Sequence, residues 1–342
     1  MVNLIEKSWY QPHWIRYVLA PLLWPLSRLF GLIARTRRKW FLANPNHAFC
    51  APVPVIVVGN ISVGGNGKTP MVLWLVEQLS NQGMKPGVIS RGYGGKAAAY
   101  PLRVTEKTQA KYAGDEPVLI FQRTGVPVAV SPVRANAIKM LVDAGVNVIV
   151  SDDGLQHYNM ARDIEIAVID GTRRFGNGHY LPFGPLRELP ERLSCVDIVV
   201  CNGGSPQANE ESMTLVAHSA VNLLTGEIRA ASELPQVIAI AGIGAPQRFF
   251  ATLQRLGVTV SQEIGFADHQ DFTTATLTRL ANYQQSVIMT EKDAVKCQQF
   301  VKQRLLSNWW YLPVNAQFSA QSRARILHKI NQIKESYGSP FA

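Results

Sequence analysis

The stretch VPVIVVGNISVGGNGKTPMVLWLVEQL, residues 53–79, decides the fold. Its opening, VPVIVV, is a short β-branched run suited to a strand buried on both faces of a parallel sheet. Its end places Val72, Leu75, Val76 and Leu79 on one face of a helix. Between the two, Gly64, Gly65 and Gly67 lead into Lys68 and Thr69. Strand, glycine-rich turn and helix is the context of a phosphate-binding loop. Backbone N–H groups surround the phosphates, the lysine reaches the β and γ oxygens, and the hydroxyl ligates Mg²⁺. The usual spelling, G-x-x-x-x-G-K-[ST], has a glycine where this chain has Ser62. The inner glycines leave the backbone open to a phosphate without it. Ser62, Val63, Gly64, Gly65, Asn66, Gly67, Lys68 and Thr69 are therefore the expected nucleotide-binding residues.

Such a loop needs acidic help for its metal. VNVIVSDDGLQH, residues 146–157, runs an apolar strand into Asp152 and Asp153, which with Thr69 form the expected Mg²⁺ set. Further apolar strands at 164–170, 196–202, 236–244 and 286–294 alternate with helical stretches, the pattern of an α/β protein with a mostly parallel sheet. With 342 residues, the chain is long for one hydrophobic core. The polar, turn-rich passage GGSPQANEES marks a boundary. The expected division is residues 1–45 as a membrane-associating segment, 46–205 as a phosphate-loop domain, 206–234 as a linker, and 235–342 as a smaller α/β domain.

Charge is unevenly placed. The net charge is +10, and residues 1–50 hold seven basic residues against the single acid Glu6. Residues 13–40 also carry an apolar face at helical spacing, with Trp9, Trp14, Trp24 and Trp40 nearby. A bilayer span needs about 20 uninterrupted apolar residues. The longest uncharged run here is only Tyr17 to Ser27. The segment therefore reads as an amphipathic helix in the membrane interface, its Arg35–Lys39 cluster on anionic lipid, and kinked or split at Pro21 and Pro25. Tryptophans among aliphatics favour lipid over nucleic acid as its partner. The four cysteines show no C-x-x-C spacing, which fits a reducing compartment and no metal knuckle.

The segments GNISVGGNGKTP, SRGYGG, AGDEP, SDDGLQH, FGNGHYLPFGPLRE, FADHQDF and TEKDAVK follow one another between about residues 50 and 296. In that order, behind a basic amphipathic N-terminus, they resemble the tetraacyldisaccharide 4'-kinase family of lipid A biosynthesis. The resemblance implies ATP as the phosphoryl donor and the 4'-hydroxyl of tetraacyldisaccharide 1-phosphate as the acceptor, giving lipid IVA at the cytoplasmic face of the inner membrane. It further implies a phosphate-loop NTPase-like α/β/α domain and a smaller α/β/α domain joined by a two-stranded linker; no obligate protein partner is evident in the sequence. Asp115 and His269 match the family's proposed aspartate–histidine pair, and His157 is a further catalytic candidate. Arg91, Arg134 and Arg187 are candidates for contacts with the glycolipid phosphate, since planar guanidinium groups suit phosphate. The competing reading is a membrane-recruited regulatory ATPase without a small-molecule acceptor.

Overall fold

The computed structural model describes residues 2–268, 270 and 272–337, apart from the side chains of residues 2–4 and 334–336. The chain opens with helices α1 (Val2–Tyr10) and α2 (Ile15–Ala43), then enters β1 (Val55–Gly59) and α3 (Lys68–Asn81). β2 (Pro86–Ser90), β3 (Leu102–Arg103), α4 (Ala110–Ala113), α5 (Asp115–Thr124), β4 (Val128–Val130) and α6 (Arg134–Asp143) follow. β5 (Val148–Asp152), β6 (Ile164–Asp170), β7 (Ile198–Asn202) and β8 (Glu210–Val216) complete the first long run of strands. Next come β9 (Ser219–Asn222), β10 (Ile228–Ala230), β11 (Val237–Ala241), α7 (Pro246–Arg255) and β12 (Val260–Gly265). The chain closes with α8 (Thr274–Ala281), β13 (Ser286–Thr290), α9 (Glu291–Arg304), β14 (Trp309–Leu312), β15 (Asn315–Phe318) and α10 (Ala320–Ser336).

Two sheets result. The larger has the order β15-β8-β7-β6-β1-β5-β2-β4-β3, parallel from β8 to β4 with an antiparallel strand at each edge. β1 is buried at every position, as a strand covered on both faces must be. Period-two alternation divides its side chains: Ile56 and Val58 meet α3, α5 and α10, while Val55 and Val57 meet α6. The smaller sheet, β10-β9-β14-β13-β11-β12, packs α7 on one face and α8 and α9 on the other. In the larger sheet β1 lies between β6 and β5, so the loop leaving β1 opens at the reversal of strand order, where doubly wound sheets bind ligands.

Two expectations are revised. Within 206–234, β8 belongs to the larger sheet and β9 and β10 to the smaller, and the partner of β8 is β15 from near the C-terminus. Residues 315–336 thus leave the smaller unit and return to the larger one, because Ile326 and Ile330 complete the apolar face beside α3. Likewise α2 is not split at Pro21 or Pro25: it is one helix of 29 residues. Each proline removes one ladder N–H, but both lie on the exposed side, and the helix is pinned further along by buried Ser27 and Gly31. By length and composition α2 could cross a bilayer. Along its outer side Trp14, Val18, Leu22, Leu29 and Ile33 are all exposed.

Candidate active site

Residues 60–67 form the turn between β1 and α3. Gly67 caps α3 at φ +92°, and a Cβ there would fall 2.5 Å from Nδ2 of Asn202, so only glycine fits. Asn202, at the end of β7, donates that amide to Asn66 O at 3.1 Å. Ser62 stands in for the outer glycine by a different route. It is buried, bridges Leu186 in antiparallel fashion, and accepts from Asn66 Nδ2 at 2.9 Å. A bridge position is extended backbone that any residue adopts, so the glycine is unnecessary and the hydroxyl braces the loop from inside. The Val63 N–H donates to Pro185 O at 2.9 Å and is not offered to a phosphate. The open part of the turn is Gly64 and Gly65, where an added Cβ would meet nothing within 4 Å.

The two carboxylates expected at the metal differ sharply. Asp152 ends β5 opposite Val58 of β1 and is 1% exposed, and neither of its carboxylate oxygens has a hydrogen-bond partner among the described residues. Burial, then the carboxylates of Glu116 and Asp153, push it up to about 7 against Lys68 and Arg134. Asp153 sits at φ +49°, a strained position of the sort found at functional sites. Its oxygens lie 2.9 Å from Nη1 of Arg187 and 3.5 Å from Nζ of Lys68. Burial alone would raise its pKa, but Lys68, Arg187 and Arg134 outweigh that and hold it at about 2. One carboxylate is thus an anchored anion, while burial outweighs Lys68 and Arg134 at its neighbour, whose oxygens have no hydrogen-bond partner among the described residues. This donor set fits a divalent metal.

The three arginines and His157 lie in different surroundings. Arg134 opens α6, is 2% exposed, and donates to Asp152 O at 2.8 Å. Burial lowers its pKa to about 10. Arg187 is committed to Asp153. Both guanidinium groups therefore brace the carboxylate strand end, one from the first residue of α6 and one from the loop before β7, and of the three only Arg91 is exposed. Burial, then Arg134, Arg162, Arg37 and Arg91, lower the pKa of His157 to about 4. At neutral pH its imidazole is uncharged.

Asp115, the first residue of α5, is buried, and its Oδ1 accepts from Glu116 N at 3.0 Å. Across the gap between the units, α9 presents Lys292 and Lys296 on one face, 3.9 and 3.7 Å from its Oδ2. Lys292 also pairs with Glu116 at 3.2 Å and Asp268 at 3.6 Å. The position of α9 is fixed by Thr290, which caps it, and by Asp293, whose Oδ2 accepts from Gly242 N at 2.8 Å. His269 lies outside the described residues. A second cross-unit pair, Arg248 to Asp170 at 2.6 Å, ties α7 to the end of β6. Sequence reasoning passed over Asn202, Glu116, Lys292 and Lys296. The only signals were a polar residue ending an apolar strand and two lysines four apart in TEKDAVK.

A glycine-rich turn at the switch point of a parallel sheet, facing a carboxylate pair on the adjoining strand, puts this chain in the class of phosphate-loop nucleotide-binding proteins. Its sequence narrows that further. The model of the LpxK family, tetraacyldisaccharide-1-P 4'-kinase, matches residues 19–331. The chain belongs to this family. It is 56% identical over 339 residues to a tetraacyldisaccharide 4'-kinase of Vibrio cholerae, covering 99% of this chain and all of that one. It is 53% identical over the same length to the enzyme of that name from Vibrio vulnificus, again covering 99% of this chain and all of that one. Among solved structures, an "apo" form of LpxK from Aquifex aeolicus in complex with ATP is 26% identical, with a TM-score of 0.76 over 93% of this chain and 99% of that one.

Proposed function

We propose that this chain is an ATP-dependent kinase that moves the γ-phosphoryl group of ATP onto the 4'-hydroxyl of tetraacyldisaccharide 1-phosphate, giving lipid IVA. Family membership over residues 19–331, in a chain whose phosphate loop faces a buried carboxylate with no hydrogen-bond partner among the described residues, carries the reading. The open turn from Gly64 and the N-terminus of α3 receive the phosphates, with Ser62 and Asn66 as braces and Lys68 on the β and γ oxygens. Asp152, Asp153 and the Thr69 hydroxyl would hold Mg²⁺, which supplies neutralisation of the phosphate oxygens. Arg187 keeps Asp153 in place, and Arg134 does the same for the backbone at Asp152.

The acceptor oxygen attacks phosphorus as the bond to the ADP oxygen breaks, and its proton must leave. Asp115, assisted by His269, accepts it, in keeping with a reaction that mainly requires alignment and charge neutralisation. Lys292 and Lys296 set the direction of that carboxylate from the second unit. Exposed Arg91 is the remaining candidate for the glycolipid phosphate. The outer face of α2 rests on the lipid surface that carries the acceptor, at the cytoplasmic side of the inner membrane. Incubation with labelled ATP and total membrane lipid tests the reading. A labelled glycolipid is expected. Labelled inorganic phosphate alone would overturn it in favour of a regulatory ATPase.

A further inference from the structure

Residues 175–188 touch α1 and α2 on one side and the phosphate loop on the other. On the first side, Trp9 Nε1 donates to Pro182 O at 3.1 Å, and Ser27 Oγ donates to Tyr180 O at 2.7 Å. The Tyr180 ring lies flush on Gly31, where a Cβ would come within 2.5 Å of Cε2. Arg16 stacks on the Phe183 ring at 5.3 Å. On the second side, the Val63 N–H donates to Pro185 O at 2.9 Å, and the Arg187 N–H donates to Ile61 O at 2.7 Å. Arg187 then grips Asp153, the partner of Lys68.

The segment between these two sides is itself closed by hydrogen bonds. Leu186 N donates to His179 O at 3.1 Å, Leu181 N to Leu186 O at 2.9 Å, Gly184 N to Tyr180 O at 2.9 Å, and Asn177 Nδ2 to Phe183 O at 2.8 Å. Hydrogen bonds thus link Tyr180 to Pro185 and Arg187 as one contiguous network, the kind of connection that coupling between two sites requires. We infer that Tyr180, seated on Ser27 and Gly31 of α2, is a positioning residue for the ATP site. The seating of the amphipathic helix then sets the conformation of residues 61–63 and of Arg187. The inference rests on the reading that residues 62–69 hold the phosphates of ATP.

The test is calorimetric titration of the full-length protein in detergent micelles with Mg·ATP, alongside steady-state kinetics. Gly31→Leu displaces the Tyr180 ring, and Tyr180→Ala removes it. Each is expected to weaken ATP binding about tenfold and to raise KM for ATP, with kcat at saturating ATP retained and binding stoichiometry near one. A merely destabilised protein would lose stoichiometry and keep its affinity. Tyr180→Phe, which retains the ring, is expected to bind ATP normally. If Gly31→Leu fails to fold, Ser27→Ala, which removes only the hydroxyl contact, carries the test with a smaller loss of the same kind. Unchanged ATP affinity in folded Tyr180→Ala and in folded Gly31→Leu or Ser27→Ala overturns the inference. Lys68→Ala separates the two levels. If it keeps normal ATP affinity, the phosphate-loop reading itself fails, whereas its loss beside intact Tyr180→Ala removes only the link to α2.

Discussion

Around Lys68 the polar groups are held by backbone and side chains of a single sheet, whereas Asp115 is met by lysines reaching over from the other unit. Asp153, Arg187, Asn66 and Asn202 all lie on turns or strand ends of the larger sheet. Lys292 and Lys296 belong to α9, on the smaller one. The contrast is between a site preorganised by strand register and one completed by the meeting of two units. The first should survive changes in the second unit, and the second should be sensitive to every contact between them.

The largest effect expected is on the preformed half. Lys68→Ala should lower phosphoryl transfer by about 10³-fold while circular dichroism stays unchanged, since the lysine stabilises charge and not the fold. Near-normal turnover would break the comparison at its root. On the assembled half, Asp115→Asn should lower kcat by about 10²- to 10³-fold with little change in ATP affinity, as loss of a general base does. Because groups acting as a unit are not additive, Asp115→Asn with His269→Ala should cost far less than the product of the single effects. Multiplicative losses would mean that the two act separately. Lys296→Ala should cost about tenfold, mainly in kcat, and a parallel fall in ATP affinity would show that the two halves are not distinct.

A smaller effect is set by pH. The folded pKa of His157, about 4, lies below its ordinary 6.5, so between those values the unfolded chain binds the additional proton. Its contribution to stability is therefore complete above 6.5 and is lost as pH falls through the window to about 4. His157→Gln should flatten the pH dependence of the thermal midpoint there, and an unaltered slope would remove His157 as its cause. Smallest is the salt response of membrane attachment. High salt should release the protein from anionic vesicles only in part, because it screens Arg35–Lys39 but leaves the apolar face of α2 buried. Complete release would show a purely electrostatic contact.

The preformed half was the more legible in sequence, and for a physical reason. A phosphate loop and a carboxylate pair each occupy contiguous residues, so strand, turn and helix are specified locally. The role of Ser62 was not legible, since its partner Leu186 lies 124 residues away along the chain and only the fold joins them. Arg134 and Arg187 were candidates for the glycolipid phosphate, but the sequence does not give a side chain's direction, and the fold turns them toward the Asp152 backbone and the Asp153 carboxylate. The intact passage of α2 through two prolines has the same origin. Local preference argued for a kink or a split, and with Ser27 and Gly31 packed further along, the helix is not split. The return of residues 315–336 to the larger sheet was invisible because β15 is short and half-exposed, without the apolar run that marks the other strands.

That return has a consequence for how the second unit was added. Val216 at the end of β8 pairs with Asn315 at the start of β15, so residues 217–314 enter and leave the larger unit at one point. The smaller unit is an insertion whose two ends are already a strand pair, the arrangement of a hairpin with its turn swollen into about a hundred residues. Both its ends therefore lie side by side on one strand pair. Cutting out residues 217–314 and closing the gap with a tight turn should leave the larger sheet folded and able to bind ATP. The excised chain would have no Lys292 or Lys296 to set Asp115, and so no transfer to the sugar.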